Sequence, residues 1–138
     1  MTEPTQAGVE DMSQAEALDL LRHHGFVGRV AFIVDNRPMI MPVNYLADTE
    51  SLVFCTGAGT KLGALGHGAS VAFEVDDSRP LDHSGWSVVV EGTATEVIDE
   101  EELSWLRRGA LKSWAVRPSE HWIRITYAHL SGRRIPAR

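Results

Sequence analysis

A glycine-rich stretch around Lys61 has the residue types best suited to chemistry. It reads CTGAGTKLGAL over residues 55–65, with three glycines and two threonines close to the lysine. Glycines let backbone amides approach an anion, and a hydroxyl and an ammonium group can bind a phosphate. The stretch does not match the triphosphate-binding pattern G-x-x-x-x-G-K-[ST], because Thr60 precedes the lysine and no hydroxyl residue follows it. Two interpretations stay open: an anion-binding loop at a helix start, or a flexible turn in which Thr60 caps the helix and Lys61 is solvated.

The other reactive residues form no catalytic or metal-binding pattern. The six histidines lack the i, i+4 spacing and the clustering of a zinc site, so a structural or solvated role is expected for each. His121 stands out among them because its neighbour is Trp122. Cys55 is the single cysteine, so it forms no intramolecular disulfide, and it lacks an obvious histidine partner in sequence. Acids such as Glu74 and Asp76 lie at a predicted strand end, where they are usually solvated, and no metal site is predicted.

Four tryptophans are many for a chain of 138 residues. Such rings fill a core, seal an oligomer interface or flank a planar ligand, and a core or interface position is the expectation here. Trp105 is predicted to pack into the core from a helix. Trp86 opens a strand, Trp122 lies within the last strand, and Trp114 completes the set.

The composition is that of one globular domain. Hydrophobic residues make up 43% of the chain and charged residues 23%, which is a folded rather than a disordered balance. The formal net charge of −6 argues against a nucleic-acid partner. No apolar run approaches the roughly 20 residues of a membrane helix, and the N-terminus lacks the pattern of a signal peptide. A cytoplasmic protein without a nucleic-acid or membrane partner is therefore expected.

The chain is predicted to begin with a tail and a short helix. Residues 1–12 are polar and lack periodicity, so a flexible tail is expected before a single domain over residues 13–138. Ser13 and Glu16 have the spacing of a capping box. An apolar face follows, and the pattern predicts a helix over residues 14–24.

The remaining elements that must position the glycine-rich stretch are mostly strands. Tight turns such as DNRP predict an antiparallel meander. Pro42 indicates a sheet edge or bulge within the second strand, Gly92 indicates a bulge in the fifth, and residues 77–84 are predicted to be a polar loop. A second helix begins after Asp99 and ends at Gly109. About six strands and two or three short helices predict a mostly-β fold, a small antiparallel barrel with helices at its ends rather than a doubly wound sheet.

Four segments carry a resemblance to a known family. They read GRVAFIVDNRPMIMPVNYLADTESLVFCTGAGTKLGAL, VAFEVDD, GWSVVVEGTATEV and HWIRITYAHLSGRRI, and together they cover roughly residues 14–135. In order and spacing they resemble the pyridoxamine 5′-phosphate oxidase-like superfamily, in the small flavin-binding branch that includes nitroimidazole-resistance-type proteins. The resemblance implies a six-stranded antiparallel split β-barrel with short flanking helices. It also implies a homodimer with two flavin sites at the dimer interface.

The resemblance further implies a function and a set of cofactor-binding residues. The function is that of an FMN-dependent oxidoreductase acting on an unknown small-molecule substrate, with no catalytic side chain assigned because the cofactor carries the electron chemistry. The segment PVNY would run beside the isoalloxazine ring, largely through its backbone, and TGAGTK would bind the phosphate. The partner subunit would add residues from GWS and from the last strand. The residues so implied are Pro42, Val43 and Asn44 at the ring, Thr56, Thr60 and Lys61 at the phosphate, and Trp86, Trp122 and Arg124 from the partner.

Departures from the family leave alternatives open. The chain is shorter than a full pyridoxamine phosphate oxidase, and GRRIPAR echoes only part of that enzyme's basic substrate-phosphate cluster, so oxidation of vitamin B6 is not expected. A deazaflavin-dependent reductase and a haem- or flavin-binding module without turnover are the alternatives. A deazaflavin has a long acidic tail that needs a larger basic groove, so the net negative charge favours FMN.

Overall fold

Strands dominate the computed structural model of the chain, which describes residues 8–57, 59–110 and 121–137. None of the helices in these ranges is long and apolar enough to cross a membrane. A single π-helical turn, Leu106–Ala110, continues the last helix. In chain order the elements are β1 (Glu10–Asp11), α1 (Gln14–His23), β2 (Val27–Val34), β3 (Arg37–Ala47), β4 (Ser51–Thr56), α2 (Thr60–Leu65), β5 (His67–Arg79), β6 (Ser84–Glu96), α3 (Glu100–Trp105) and β7 (His121–Ile135).

The strands form one antiparallel sheet that closes into a barrel. Their order is β1-β7-β4-β3-β2-β5-β6, and β6 also pairs with β7, which closes the ring. Two joins are short within the described strands: β3 meets β4 through residues 45–47, and β2 meets β5 through residues 29–31. Beyond the short β3–β4 join the two strands are not paired, and the opening between them is called the β3–β4 seam below. The predicted split antiparallel barrel is thereby confirmed. It contains the six predicted strands and, in addition, the two-residue strand β1 beside β7.

Local sequence signals explain several elements. Asp35 and Asn36 both have positive φ, 49° and 63°, which gives the β2–β3 hairpin the two-residue turn that fits strand twist. A register shift between Glu91 and Gly92 lies where the bulge was predicted, but the extra residue is Ala128 of the neighbouring strand β7 and not a residue of β6. A Cβ at Gly92 would lie 2.2 Å from the Thr126 carbonyl oxygen, so only glycine permits this close approach of β7.

The start of the domain differs from the prediction. Glu10 pairs with Arg134 and Asp11 with Arg133, so the end of the segment predicted to be a flexible tail is part of the sheet. Residues 1–7 lie outside the described part of the chain. The helix α1 begins as predicted, because Ser13 Oγ accepts a hydrogen bond from the Glu16 N–H at 3.1 Å. The capping box is only half formed, since the Glu16 carboxylate lies 2.8 Å from an Arg134 guanidinium nitrogen.

Two other predictions are corrected. Strand β5 continues to Arg79 and β6 begins at Ser84, so the predicted loop over residues 77–84 is shorter. The reason is that the β5–β6 ladder extends to the hairpin tip although its side chains are polar. The prediction that Trp105 packs into the core is wrong, because it is 56% exposed. Its neighbour Leu106 is the residue that packs inward, against Trp122.

The main core lies inside the barrel beneath α1. Phe73 is fully buried, and its ring meets the Tyr45 ring edge-on at a centroid distance of 4.9 Å. The same ring covers Gly28, where an added Cβ would lie 2.0 Å from it. The Tyr45 hydroxyl donates to the Leu21 carbonyl oxygen at 2.7 Å and so ties α1 to the barrel. Burial raises the pKa of Tyr45 to about 12, which keeps the hydroxyl a neutral donor.

Candidate functional site

The β3–β4 seam brings the two sequence-predicted cofactor segments to one opening. The ladder between these strands ends at the pair of Tyr45 with Phe54. Beyond that pair, β3 continues through Asn44 and β4 continues through Thr56. Because residues that follow the last pair of an antiparallel ladder start side by side, both segments border the same opening.

The seam-facing edge of β3 can contact a planar ligand through its backbone. Tyr45 N–H donates to the Phe26 carbonyl oxygen at 3.1 Å, on the β2 side of the strand. Successive residues of a strand point their amides to opposite edges, so positions 42 and 44 face the seam. Because position 42 faces the seam, the missing N–H of Pro42 removes no bond from the β2–β3 ladder. This confirms the predicted edge position of Pro42. The side chain of Val43 is 8% exposed and points inward, and that of Asn44 is exposed.

The glycine-rich loop joins β4 to α2. Gly59, not Thr60, occupies the N-cap position, with φ of 134° in the region that favours glycine. Thr60 is the first residue of the helix, and its side chain lies outside what the structure describes. The side chain of Lys61 is exposed, and the ion pairs within the described ranges do not include it. Its ammonium group is therefore available to an anion at this end of the seam.

A histidine and a glutamate flank the same end of the barrel. Thr56 pairs directly with His121 across β4 and β7. His121 Nδ1 lies 2.8 Å from Glu96 Oε2, and the Glu96 N–H donates to the Gly66 carbonyl oxygen at 3.2 Å, beyond the end of α2. Sequence reasoning gave His121 no site role. One signal could have found it. His121 begins an alternating strand pattern in which the next residues on the same face, Ile123 and Ile125, are apolar.

Trp86 lies far from this end of the barrel. It is ten residues from Glu96 along β6, which corresponds to roughly 33 Å in an extended strand at about 3.3 Å per residue. There it lines a cleft of about 530 Å³ together with Arg79, His83 and Arg133. A ligand held at Thr56 therefore does not reach Trp86 of the same chain.

Trp122 and Arg124 lie on the other face of β7 from His121. Trp122 is 1% exposed and packs under α3 against Val53, Val97 and Leu106. Arg124 forms an ion pair with Glu102 of α3 and donates to Ser51 Oγ at 3.2 Å. Within one chain the structure thus gives both residues a role in anchoring α3 and does not bring them to the seam, and the prediction that a partner subunit supplies them stays a prediction. Trp114 lies outside the described residues.

An ionic cluster marks the outer face of β2 and β5. Arg29 Nη1 lies 3.3 Å from Glu74 Oε1 and 3.4 Å from Asp76 Oδ2, so one cation serves two carboxylates. Partial burial, followed by the hydrogen bond and charge of Asp76, raises the pKa of Glu74 to about 7, against the opposing effect of Arg29. Glu74 therefore changes its charge near neutral pH.

Replacing Glu74 by glutamine is expected to flatten the pH dependence of stability. The unfolded carboxyl group has a pKa of 4.5 and the folded one about 7, so between these values the native state holds a proton that the unfolded state has released. The free energy of unfolding of the native sequence therefore falls as pH rises through this window, whereas glutamine does not titrate. Because the side chain is about one third exposed, solvent screening makes the effect smaller than the full shift implies.

Denaturant titrations at about pH 5 and about pH 8 test this expectation. The Glu74→Gln variant should gain stability relative to the native protein on going from the lower to the higher pH. Glu91→Gln, an exposed change on the neighbouring strand β6, is the control. Equal pH dependence in the native and Glu74→Gln proteins would show that Glu74 titrates normally.

Comparison with known proteins places the chain in a family. A family model described as pyridoxamine 5′-phosphate oxidase matches residues 13–134. An uncharacterized protein of Mycobacterium tuberculosis is 34% identical over 134 residues, which cover 94% of this chain and 87% of that protein. An FAD binding protein from Mycobacterium smegmatis is 32% identical with a TM-score of 0.70, covering 93% of this chain and 99% of that one. An FAD-binding protein from Mesorhizobium loti shares the fold at 24% identity, with a TM-score of 0.79 and the same coverages of 93% and 99%. The chain belongs to the pyridoxamine 5′-phosphate oxidase family.

Proposed function

We propose that the protein is a flavin-dependent oxidoreductase that binds FMN at the β3–β4 seam and acts on a small organic substrate. The observation that carries the proposal is the opening itself, which is bordered by residues 42–44 on one side and by Thr56 and the loop to Lys61 on the other. The FAD binding protein of Mycobacterium smegmatis, at 32% identity, supports a flavin. FAD contains the FMN group, so the same seam serves either nucleotide.

The residues at the seam fit the parts of FMN. The phosphate needs a cation, which the exposed Lys61 supplies. The ring edge needs a backbone donor and acceptors, which the seam-facing edge of β3 supplies as the Asn44 N–H and the carbonyl oxygens of Pro42 and Asn44. The side chain of Val43 is 8% exposed and packs in the core, so it offers the ring little surface. Lys61 and the β3 edge would bind and orient the cofactor.

A bound flavin supplies reversible two-electron chemistry to such a site. The chain then contributes position and electrostatics rather than a nucleophile. Lys61 holds the anionic end, and the β3 edge fixes the plane of the ring relative to the barrel. The arrangement supports redox chemistry on a small molecule that can lie against the exposed face of the ring.

The proposal includes a homodimer that completes each site. Trp86 cannot reach a ligand at Thr56 of its own chain, but a second copy can bring its Trp86 to that ligand. The outer face of β2 and β3 exposes apolar side chains that a second copy would cover, among them Ile33 and Ile40, the latter 71% exposed. Sedimentation equilibrium measures this directly: a monomer that binds FMN with native affinity would contradict the shared site.

Identification of the copurifying small molecule tests the cofactor. An absorbance spectrum and mass analysis of the purified protein are followed by titration with FMN, FAD and riboflavin. Bound FMN that is reduced by a nicotinamide donor supports the proposal, and tighter binding of FAD would change the nucleotide but retain the site. Retention of a deazaflavin coenzyme or of haem would contradict it. Flavin binding without reduction or turnover would favour the second candidate, a binding module.

A further inference from the structure

His121 and Glu96 form a partly open pair at the end of the barrel that α2 closes. The hydrogen bond between them measures 2.8 Å, and their side chains are 36% and 31% exposed. Glu96 is fixed to the neighbourhood of α2 by the bond from its N–H to the Gly66 carbonyl oxygen. The pair is therefore held in place by the backbone and remains accessible to a ligand.

The pair lies beside the start of the glycine-rich loop. His121 is directly opposite Thr56, and side chains of directly opposite residues share a face, with Cβ atoms about 4.5–5.5 Å apart. Thr56 itself is almost buried and immediately precedes Gly57. The imidazole is thus next to the strand end from which the chain leads to Lys61.

The hydrogen bond to Glu96 determines which nitrogen is left for a ligand. A carboxylate only accepts, so His121 Nδ1 carries its proton toward Glu96 and Nε2 lies on the opposite side of the ring. A protonated imidazole donates from Nε2 to an anion, and the Glu96 carboxylate balances its charge. Ion pairs at partly buried positions contribute little net stability, so stability alone does not account for this pair at an inward position.

We propose that His121 binds the phosphate group of the cofactor through Nε2 and that Glu96 is the positioning residue for its imidazole. This inference rests on the proposed flavin site and deepens it by adding a second phosphate-binding side chain to Lys61. It assigns the His121–Glu96 pair a role in recognising the phosphate rather than the ring.

Comparison of FMN with riboflavin isolates the phosphate contribution. In the His121→Asn variant, the dissociation constant for FMN should rise about tenfold or more, since the contact is a hydrogen bond to a charged group. The dissociation constant for riboflavin, which has no phosphate, should stay unchanged. His129→Asn, an exposed change on the same strand, is the matched control and should leave both constants unchanged.

Further variants separate binding from a merely structural role. His121→Gln keeps an N–H donor on a side chain of similar reach and should retain part of the preference for FMN. Glu96→Ala should lose much of that preference, whereas Glu96→Gln, which can still accept from Nδ1, should keep most of it. Circular dichroism and thermal unfolding identify variants that are not folded, and His121→Gln replaces His121→Asn if the latter is among them.

Three results would overturn the inference. If the native protein binds FMN and folded His121 variants keep both dissociation constants unchanged, this inference alone is overturned. If the His121 variants bound FMN and riboflavin more weakly by the same factor, the inference would also be overturned, and the His121–Glu96 pair would have only a structural role. A native protein that binds neither flavin would overturn the proposed function, and this inference with it.

Discussion

Replacing Lys61 by alanine is expected to weaken FMN binding by roughly 10- to 150-fold. Under the proposed function the substitution removes a charge-assisted contact to the phosphate, and such contacts are worth about 1.5–3 kcal/mol. Because the side chain is exposed, the thermal stability of the cofactor-free protein should not change. Titration of FMN, followed by quenching of its fluorescence, measures the dissociation constant.

Two controls make the Lys61 result specific. Lys61→Arg keeps the charge and should retain most of the affinity, while Arg107→Ala removes an exposed cation from the π-helical turn after α3 and should have no effect. Riboflavin should bind the native and Lys61→Ala proteins alike. If the Lys61→Ala variant bound FMN with native affinity, the assignment of the phosphate to this loop would be wrong.

Replacing Phe73 by alanine is expected to lower the free energy of unfolding by about 3–5 kcal/mol. The ring is fully buried, contacts Tyr45 and fills the space above Gly28, so its loss leaves a cavity in the centre of the barrel. Phe26→Ala is the matched control, because the Phe26 side chain is 74% exposed and should contribute little. Urea titrations monitored by circular dichroism measure both values.

A double-mutant cycle tests whether Phe73 and Gly28 share one space. Gly28→Ala alone should destabilise by about 1–3 kcal/mol, because its Cβ collides with a ring that has no room to move. In the Phe73→Ala background the same change should be nearly neutral, since the added methyl enters the cavity. Additive effects would show that the two positions do not compete.

The parts of the fold that local chemistry determines were predictable from the sequence. Ser13 and Asp99 both cap their helices as their types predict, each accepting a hydrogen bond from the backbone N–H three residues later. Gly92 lies at the register shift because a side chain there would collide with the backbone of β7, although the extra residue is on β7. The side that a short helix turns toward the core depends on tertiary contacts instead, and so the prediction that Trp105 packs into the core was wrong.

The candidate site was predictable only in part. The segments at Pro42 and Thr56 were identified together through the family resemblance, and the seam explains why they belong together. Trp122 and Arg124 were assigned to the site as residues of a partner subunit; within one chain, strand alternation places both on the face that anchors α3, and their role in a partner's site stays a prediction. His121 is 65 positions from Thr56 in sequence, so only the register of β4 with β7 reveals that they are neighbours.

The two short ladders of the barrel divide it into parts that differ in local stability. The β2–β3 hairpin contacts the rest of the sheet through residues 45–47 and 29–31, whereas β6 pairs along most of its length on both sides. Amides of the hairpin should therefore exchange with solvent through local openings of lower free energy than those of β6. A cofactor that bridges the seam would bind only while the hairpin is paired with the rest of the sheet. Its binding free energy would therefore add to the free energy that is needed to open the hairpin. Loading with flavin would then slow hydrogen exchange in β2 and β3 more than in β6, and the cofactor would act as a structural cross-link of the barrel.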